Sequence, residues 1–302
     1  MQELITESQV QVMPNEKILD LFLSNQESPG TQRTYSSTIR AFLALSGKRI
    51  TDIDQFDALG YNTYLKGFCA PATVQRQIST LNMFFAFALK LEIIKTNSFA
   101  IVKQTKVPSS VKQKFLTANE LDRLLNVLAE TRPKEYVLGL ILASLGLRIS
   151  EAVNLSHNDF ITSPDGGIEV RLLRKGNKIQ LLPLRDDVWQ VVQAFMGHGT
   201  DASDTRPLFT NPSGNRTSDV TLRSWIERAV KKAGIKKRAT PHWLRHSFAT
   251  LLLDKGQTLE NVCWAMGHSN VSTTSIYLHP TDKKISDHMP INVKQIKCER
   301  WS

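Results

Sequence analysis

Cysteine is scarce in this chain: three in 302 residues, at Cys69, Cys263 and Cys298. They are far apart, odd in number and without metal-ligand spacing. That excludes a disulfide-stapled secreted scaffold and predicts reduced thiols in a cytoplasmic protein. Long apolar runs are also missing. The longest stretch, Val137 to Leu147, contains Gly139 and Gly146 and ends at Arg148, short of the roughly 18 residues that a membrane span needs. The segment from Met1 to Met13 is polar, with Glu3 and Glu7, and lacks the basic-then-apolar pattern of a secretory signal. The protein is therefore expected to stay in the compartment where it is made. There is no internal repeat and no low-complexity tract. Acidic residues are in deficit, 28 Asp and Glu against 38 Lys and Arg, a formal charge of +10. The excess suits a polyanionic partner, either nucleic acid or an anionic membrane surface.

What remains is an ordinary globular composition, 41% hydrophobic and 22% charged, long enough for two domains. The first hundred residues read as four short helices. Asn15 reads as the cap of one that carries Ile18, Leu19, Phe22 and Leu23. After a turn at Ser28-Pro29-Gly30, a second carries Tyr35, Ile39, Phe42 and Leu43 at helical spacing. A third lies near Gln55 to Phe68. Pro71 opens a fourth, with Ile78, Leu81, Phe84, Phe85 and Leu89 on one side. Short joins between short helices predict a small bundle. Gln104 to Lys114 is polar, basic and aperiodic around Pro108, a linker composition. Thr117-Ala-Asn-Glu120 then reads as a capping box ahead of Leu121, Leu124 and Leu125. The spans are set at 1–107 for the helical domain, 108–115 for the linker and 116–302 for a second, mixed α/β domain. There, Gly167 to Leu173 and Ile179 to Leu184 form a hairpin with a basic tip. Helices are expected near Tyr136 to Ser144, from Ser150, and near Asp187 to Met196, Ser218 to Ala233, Pro241 to Leu253, Leu259 to Met266 and Thr273 to Tyr277.

Four segments of the second domain bear chemistry. In Thr240-Pro-His-Trp-Leu-Arg-His-Ser-Phe-Ala-Thr250, His242 and Arg245 share a helix face. A guanidinium fork matches two phosphate oxygens, and a solvated basic face reads as well. In Leu145-Gly-Leu-Arg-Ile-Ser-Glu151, Gly146 permits a tight turn, and Arg148 follows at a helix start, where backbone donors also favour an anion. Glu151 is placed to hold Arg148; a surface ion pair is the plainer reading. At the hairpin tip Lys175 and Lys178 flank Gly176-Asn177, a turn pair. That tip either reaches a groove or merely keeps a strand soluble. Finally, Gly267 ends a helix, His268 follows it, and Tyr277 stands in a polar stretch; a partly buried tyrosine with a satisfied hydroxyl is the ordinary alternative. Together they give two arginines, two histidines, a lysine and a tyrosine in one domain, without a carboxylate cluster or cysteine pair for a metal. That inventory suits attack on a phosphodiester by a phenol. Guanidiniums neutralise the charge of the five-coordinate transition state, neighbours must poise a phenol of ordinary pKa about 10, and a lysine protonates the leaving oxygen.

In their order along the chain, Arg148, Lys175, His242-x-x-Arg245, His268 and Tyr277 resemble the tyrosine recombinases of the phage-integrase family, most closely the Xer-type and simple integrases. The resemblance covers most of the chain. It implies a mainly α fold with a small β-sheet: an N-terminal four-helix, SAM-like core-binding domain and a C-terminal mixed α/β catalytic domain that together clamp DNA. It implies that Tyr277 forms a 3′-phosphotyrosyl bond, Arg148 and Arg245 hold the non-bridging oxygens, and Lys175 protonates the 5′-oxygen. His242 and His268 assist, and Glu151 supports. No ATP, cofactor or metal is expected. Partners are double-stranded DNA with paired inverted half-sites and a homo-tetramer, or a hetero-tetramer with a second recombinase, with accessory proteins in some systems. Strand exchange proceeds through a Holliday junction, and the tail from His279 to Ser302 docks on a neighbouring protomer, where the spacing of Val293 and Ile296 fits a short helix. Candidate phosphate contacts are Arg33, Arg40, Lys66, Arg76, Lys90 and Lys178. Leu145 and Met266 depart from the residues commoner at those positions. A type IB topoisomerase-like enzyme, a telomere resolvase and a non-catalytic DNA-binding protein remain as alternatives.

Overall fold

The computed structural model describes residues 13–103, 114–174, 177–267 and 284–295. The chain divides into two compact units, Met1–Val111 and Lys112–Ser302. Among the described residues it is mainly helical with one small sheet.

The first unit holds α1 (Asn15–Ser24), α2 (Pro29–Ser46), α3 (Gln55–Phe68) and α4 (Pro71–Lys90). Asn15 does not cap α1; Pro14 precedes it at that position. The Asn15 side chain instead donates to the Lys48 carbonyl and accepts from the Ile50 amide, both at 3.0 Å, tying α1 to a 3₁₀ turn beyond α2. α3 starts on a true capping box between Asp54 and Asp57. The core is aromatic: Phe42 meets Tyr61, Phe85 and Phe99 edge-on, and Phe22 meets Phe84 likewise, the arrangement that ring quadrupoles favour. On α4 the inward position near the end belongs to Ala88, and Leu89, expected inside, is exposed.

The second unit holds α5 (Ala118–Ala129), α6 (Pro133–Leu145), α7 (Ile149–Asn154), β1 (Phe160–Thr162), β2 (Ile168–Arg174), β3 (Lys178–Leu184), α8 (Asp186–Met196), α9 (Asp219–Lys232), α10 (Pro241–Asp254) and α11 (Leu259–Met266). The expected capping box of Thr117 and Glu120 opens α5. Every residue of α6 from Glu135 to Leu145 is buried, which accounts for its apolar sequence on all sides. α5, α8, α9 and α10 surround it. The sheet is antiparallel in the order β1-β2-β3, with Arg174 paired to Lys178 across the hairpin end. Asn177 adopts φ +59°, the left-handed conformation of a tight turn. β2 turns Val170, Leu172 and Arg174 inward. The tail from Ile285 to Gln295 forms a 3₁₀ turn (Ile285–His288) and then irregular chain, not the expected helix at Val293. It lies on its own unit: the Tyr136 hydroxyl accepts from the Lys294 amide at 2.7 Å, and Arg185 donates to the Met289 carbonyl at 2.6 Å. Ile296, the other half of that expected helix, is outside the described residues. Among the described residues no helix is long and apolar enough to cross a membrane.

Candidate active site

The site is built around one carboxylate. α6 ends at Gly146, whose φ of +59° turns the chain back and whose missing Cβ leaves room for the Phe248 ring; a Cβ there would lie 2.4 Å from a ring carbon. The reversal sets Arg148 immediately before α7. Glu151, in the first turn of α7, accepts from the Arg148 amide at 2.7 Å and from Arg148 Nη1 at 2.8 Å. Two further guanidiniums approach the same carboxylate. Arg174, at the end of β2, brings Nη1 to 2.7 Å from Glu151 Oε2, and Arg245, on α10, brings Nη1 to 4.0 Å. Burial alone would raise the pKa of Glu151; Arg174, then the Arg148 amide, outweigh it and hold the carboxylate below its usual range.

The arginines also secure the end of α11, where the helix leaves carbonyls without internal partners. Gln180 Nε2 donates to the Trp264 carbonyl at 2.8 Å, Arg174 Nη2 to Ala265 at 2.8 Å, and Arg245 Nη2 to Met266 at 2.6 Å. Arg245 Nη1 donates to the Gly146 carbonyl at 2.7 Å, so one guanidinium joins the α6 turn to the end of α11. Burial pushes its pKa down to about 10, and Arg148 pushes it the same way, so it is charged at neutral pH. Gly267, at φ +61°, follows with Arg174 stacked beneath it: a Cβ would lie 2.7 Å from Nε.

His242 is exposed in the first turn of α10, with its ring edge-on to His246 at 4.5 Å. Burial lowers the pKa of each; His246 and Arg245 lower that of His242 further. Both rings are therefore held toward the neutral form.

The structure thus brings Arg148, Arg245 and Glu151 together, with His242 within electrostatic reach of both arginines. Lys175, His268 and Tyr277 lie outside the described residues, as does the helix expected near Thr273 to Tyr277. Arg33, Arg40, Lys66, Arg76, Lys90 and Lys178 are all exposed; Arg40 is engaged by Glu16 at 2.8 Å. Sequence reasoning passed over Arg174 and His246. For Arg174 the signal was parity: it shares the inward phase of Val170 and Leu172, and an arginine on a buried face needs a partner. For His246 it was the i,i+4 spacing from His242.

The Phage integrase family matches residues 114–284, and the Phage integrase SAM-like domain matches residues 19–107. The chain belongs to the phage integrase family and is a tyrosine-type site-specific recombinase. Its relatives are Xer-like. A tyrosine recombinase of Thermosipho africanus is 30% identical over 90% of this chain and 98% of its own. The tyrosine recombinase XerA of Thermococcus kodakarensis is 32% identical over 89% and 92%. In fold, the chain is similar to lambda integrase as a tetramer bound to a Holliday junction, with a TM-score of 0.69 at 18% identity over 88% of this chain and 81% of that one. These relatives do not favour the topoisomerase, resolvase or non-catalytic alternatives.

Proposed function

We propose that the arginine cluster is a preformed seat for the scissile phosphate and that Tyr277 attacks the phosphorus seated there. The observation that carries this is the charge count around Glu151. Three guanidiniums, of Arg148, Arg174 and Arg245, face one carboxylate, leaving two net positive charges where the transition state of phosphodiester attack carries two negative ones. Such prearranged charge stabilises the transition state without reorganisation. Arg245 spends two donors on carbonyls and an arginine has five, so donors remain for the non-bridging oxygens beside those of the half-exposed Arg148.

In this reading the phenolate oxygen of Tyr277 forms a bond to phosphorus, and the bond to the 5′-oxygen breaks. Lys175 gives that oxygen its proton. His242, held toward neutrality, takes the phenol proton, and His268 donates to the phosphate. The 3′-phosphotyrosyl bond conserves the energy, so resealing to a partner strand needs no ATP. Residues 1–107 act as the core-binding domain, with Arg33, Arg40, Lys66, Arg76 and Lys90 on phosphates; 108–115 link it to the catalytic residues 116–302, where Lys178 adds a contact. The DNA carries paired inverted half-sites. Four protomers, all alike or including a second recombinase, assemble on it and exchange strands through a Holliday junction, with the end of the tail beyond Gln295 docking on a neighbour and accessory proteins as further partners. The site of action is the cytoplasm, on the nucleoid. The net charge of +10 supports the nucleic-acid partner.

The test is covalent trapping. Randomly nicked genomic fragments from the source organism are incubated with the protein, stopped with SDS, and the protein-linked DNA is sequenced. Adducts enriched at sites with inverted half-sites are expected, and none with Tyr277→Phe. Equal recovery with wild type and Tyr277→Phe would defeat the proposal.

A further inference from the structure

Away from the arginine cluster, and sharing no residue with it, three potential ligand atoms converge in the second unit. His157 sits in the 3₁₀ turn before β1, His198 just beyond α8, and Asp204 in the loop that follows. His157 Nδ1 is 3.1 Å from His198 Nε2 and 2.9 Å from Asp204 Oδ2, and His198 Nε2 is 3.0 Å from the same Oδ2. The Asp204 side chain is 8% exposed, an unusual place for a carboxylate. The backbone fixes the arrangement: the His157 amide donates to the Arg206 carbonyl at 3.0 Å, and the Asn158 amide to the Asp204 carbonyl at 2.9 Å.

We propose that His157, His198 and Asp204 bind a divalent transition-metal ion, zinc in the first instance, which staples the turn before β1 to the loop after α8, and that the Arg206 guanidinium holds the cation's place when the metal is absent. The tautomers suit it. His198 Nδ1 lies 2.7 Å from the Gly199 carbonyl. A carbonyl only accepts, so Nδ1 carries a proton, and in the neutral ring Nε2 turns its lone pair inward, with the outer hydrogen bond that metal-bound histidines use. The spacing suits it too. Ligands at about 2.0–2.1 Å from a tetrahedral zinc are about 3.4 Å apart, so the triangle need open by only about 0.4 Å. Two neutral imidazoles and one carboxylate are a donor set for zinc and its borderline neighbours rather than for magnesium or calcium. A solvent molecule completes the tetrahedron.

Arg206 accounts for the metal-free form. Its Nη2 is 2.7 Å from Asp204 Oδ2 and 3.2 Å from His198 Nε2, so it donates where a metal would be bound. Its side chain is 67% exposed, with Nε also donating to Asp204 Oδ1 at 2.9 Å, so it is displaced toward solvent when the ion takes the carboxylate. Metal binding moves the His157 proton from Nδ1 to Nε2 and exchanges the guanidinium for the ion.

The experiment uses untagged, chelator-treated full-length protein, zinc chloride in calorimetry, and cobalt(II) in absorption spectroscopy. One equivalent of zinc is expected to bind and to raise the melting temperature, reversibly on adding EDTA. Asp204→Asn and His198→Gln weaken binding by about 100-fold or more; His198, the more exposed of the two histidines, tolerates replacement where Asp204 does not. Arg206→Ala tightens binding by removing the competing cation. Cobalt is expected to give visible bands of nitrogen and oxygen ligation without the near-ultraviolet thiolate band that binding at cysteine would produce. Absence of stoichiometric binding, affinity unchanged in both ligand variants, a thiolate band, or weaker binding in Arg206→Ala would overturn the proposal.

Discussion

Glu151 sets the chemistry of its surroundings because three positive groups depend on it. Removing its charge leaves buried guanidiniums without a counterion, which costs about 3–5 kcal/mol where such pairs have been broken. Glu151→Gln is therefore expected to lower stability by about that amount, read from urea unfolding, and to weaken DNA cleavage more than DNA binding. Its folded pKa lies below the ordinary 4.5, so its stabilisation is complete above that pH and is lost as pH falls through the lowered value. The two histidines act at higher pH. Their folded pKa values are depressed below the ordinary 6.5, so the unfolded chain takes up the protons first. Stability is present above about pH 6.5 and declines as pH falls below it. Unfolding midpoints at pH 7.5 and 5.5 are expected to differ less in the His242→Gln, His246→Gln double variant than in wild type. Of these residues, Arg148 and Glu151 were legible as neighbours three apart on one helix start. For Arg174 strand parity marks an inward side chain, but not its partner, because the contact with Glu151 comes from a strand 23 positions later in the chain.

Among the elements, the helix ends matter more than the helices. Gly146 and Gly267 close α6 and α11 in the left-handed conformation, each with a side chain packed where a Cβ would stand. Behind Gly146 is an aromatic ring in the core, and Gly146→Ala is expected to destabilise by about 3 kcal/mol from backbone strain and overpacking together. Behind Gly267 is Arg174. Gly267→Ala is expected to displace that guanidinium, lowering the rate of cleavage while leaving DNA affinity within about twofold of wild type by electrophoretic shift, since Arg174 reaches the phosphate seat through Glu151. Helix positions were legible from apolar spacing and from capping residues such as Thr117 and Glu120. The tail was not. Val293 and a partner three residues on suggest a helix, but the Lys294 amide and carbonyl bond to the Tyr136 hydroxyl, and Asn292 bonds to Asp122. Backbone groups committed to tertiary partners are not available to an i,i+4 ladder.

For the whole molecule, the division into a helical unit and a mixed unit was legible from the four apolar-spaced helices early in the chain and the hairpin alternation after Gly167. The basic excess pointed to a polyanion without choosing one, and the family match makes that choice. A protein that neutralises about six or more phosphates loses roughly 10³-fold in affinity between 50 and 200 mM salt. DNA binding titrated across that range is expected to weaken by such a factor, with or without the Tyr277 hydroxyl. The central claim concerns a bond, and the direct measurement is the chemistry of the trapped adduct. Protease digestion and mass spectrometry of the covalent complex are expected to return the peptide containing Tyr277 joined to a 3′-phosphate, with the released strand carrying a 5′-hydroxyl that polynucleotide kinase labels without prior dephosphorylation. A DNA-linked peptide lacking Tyr277, or a tyrosine joined to a 5′-phosphate, would contradict the account.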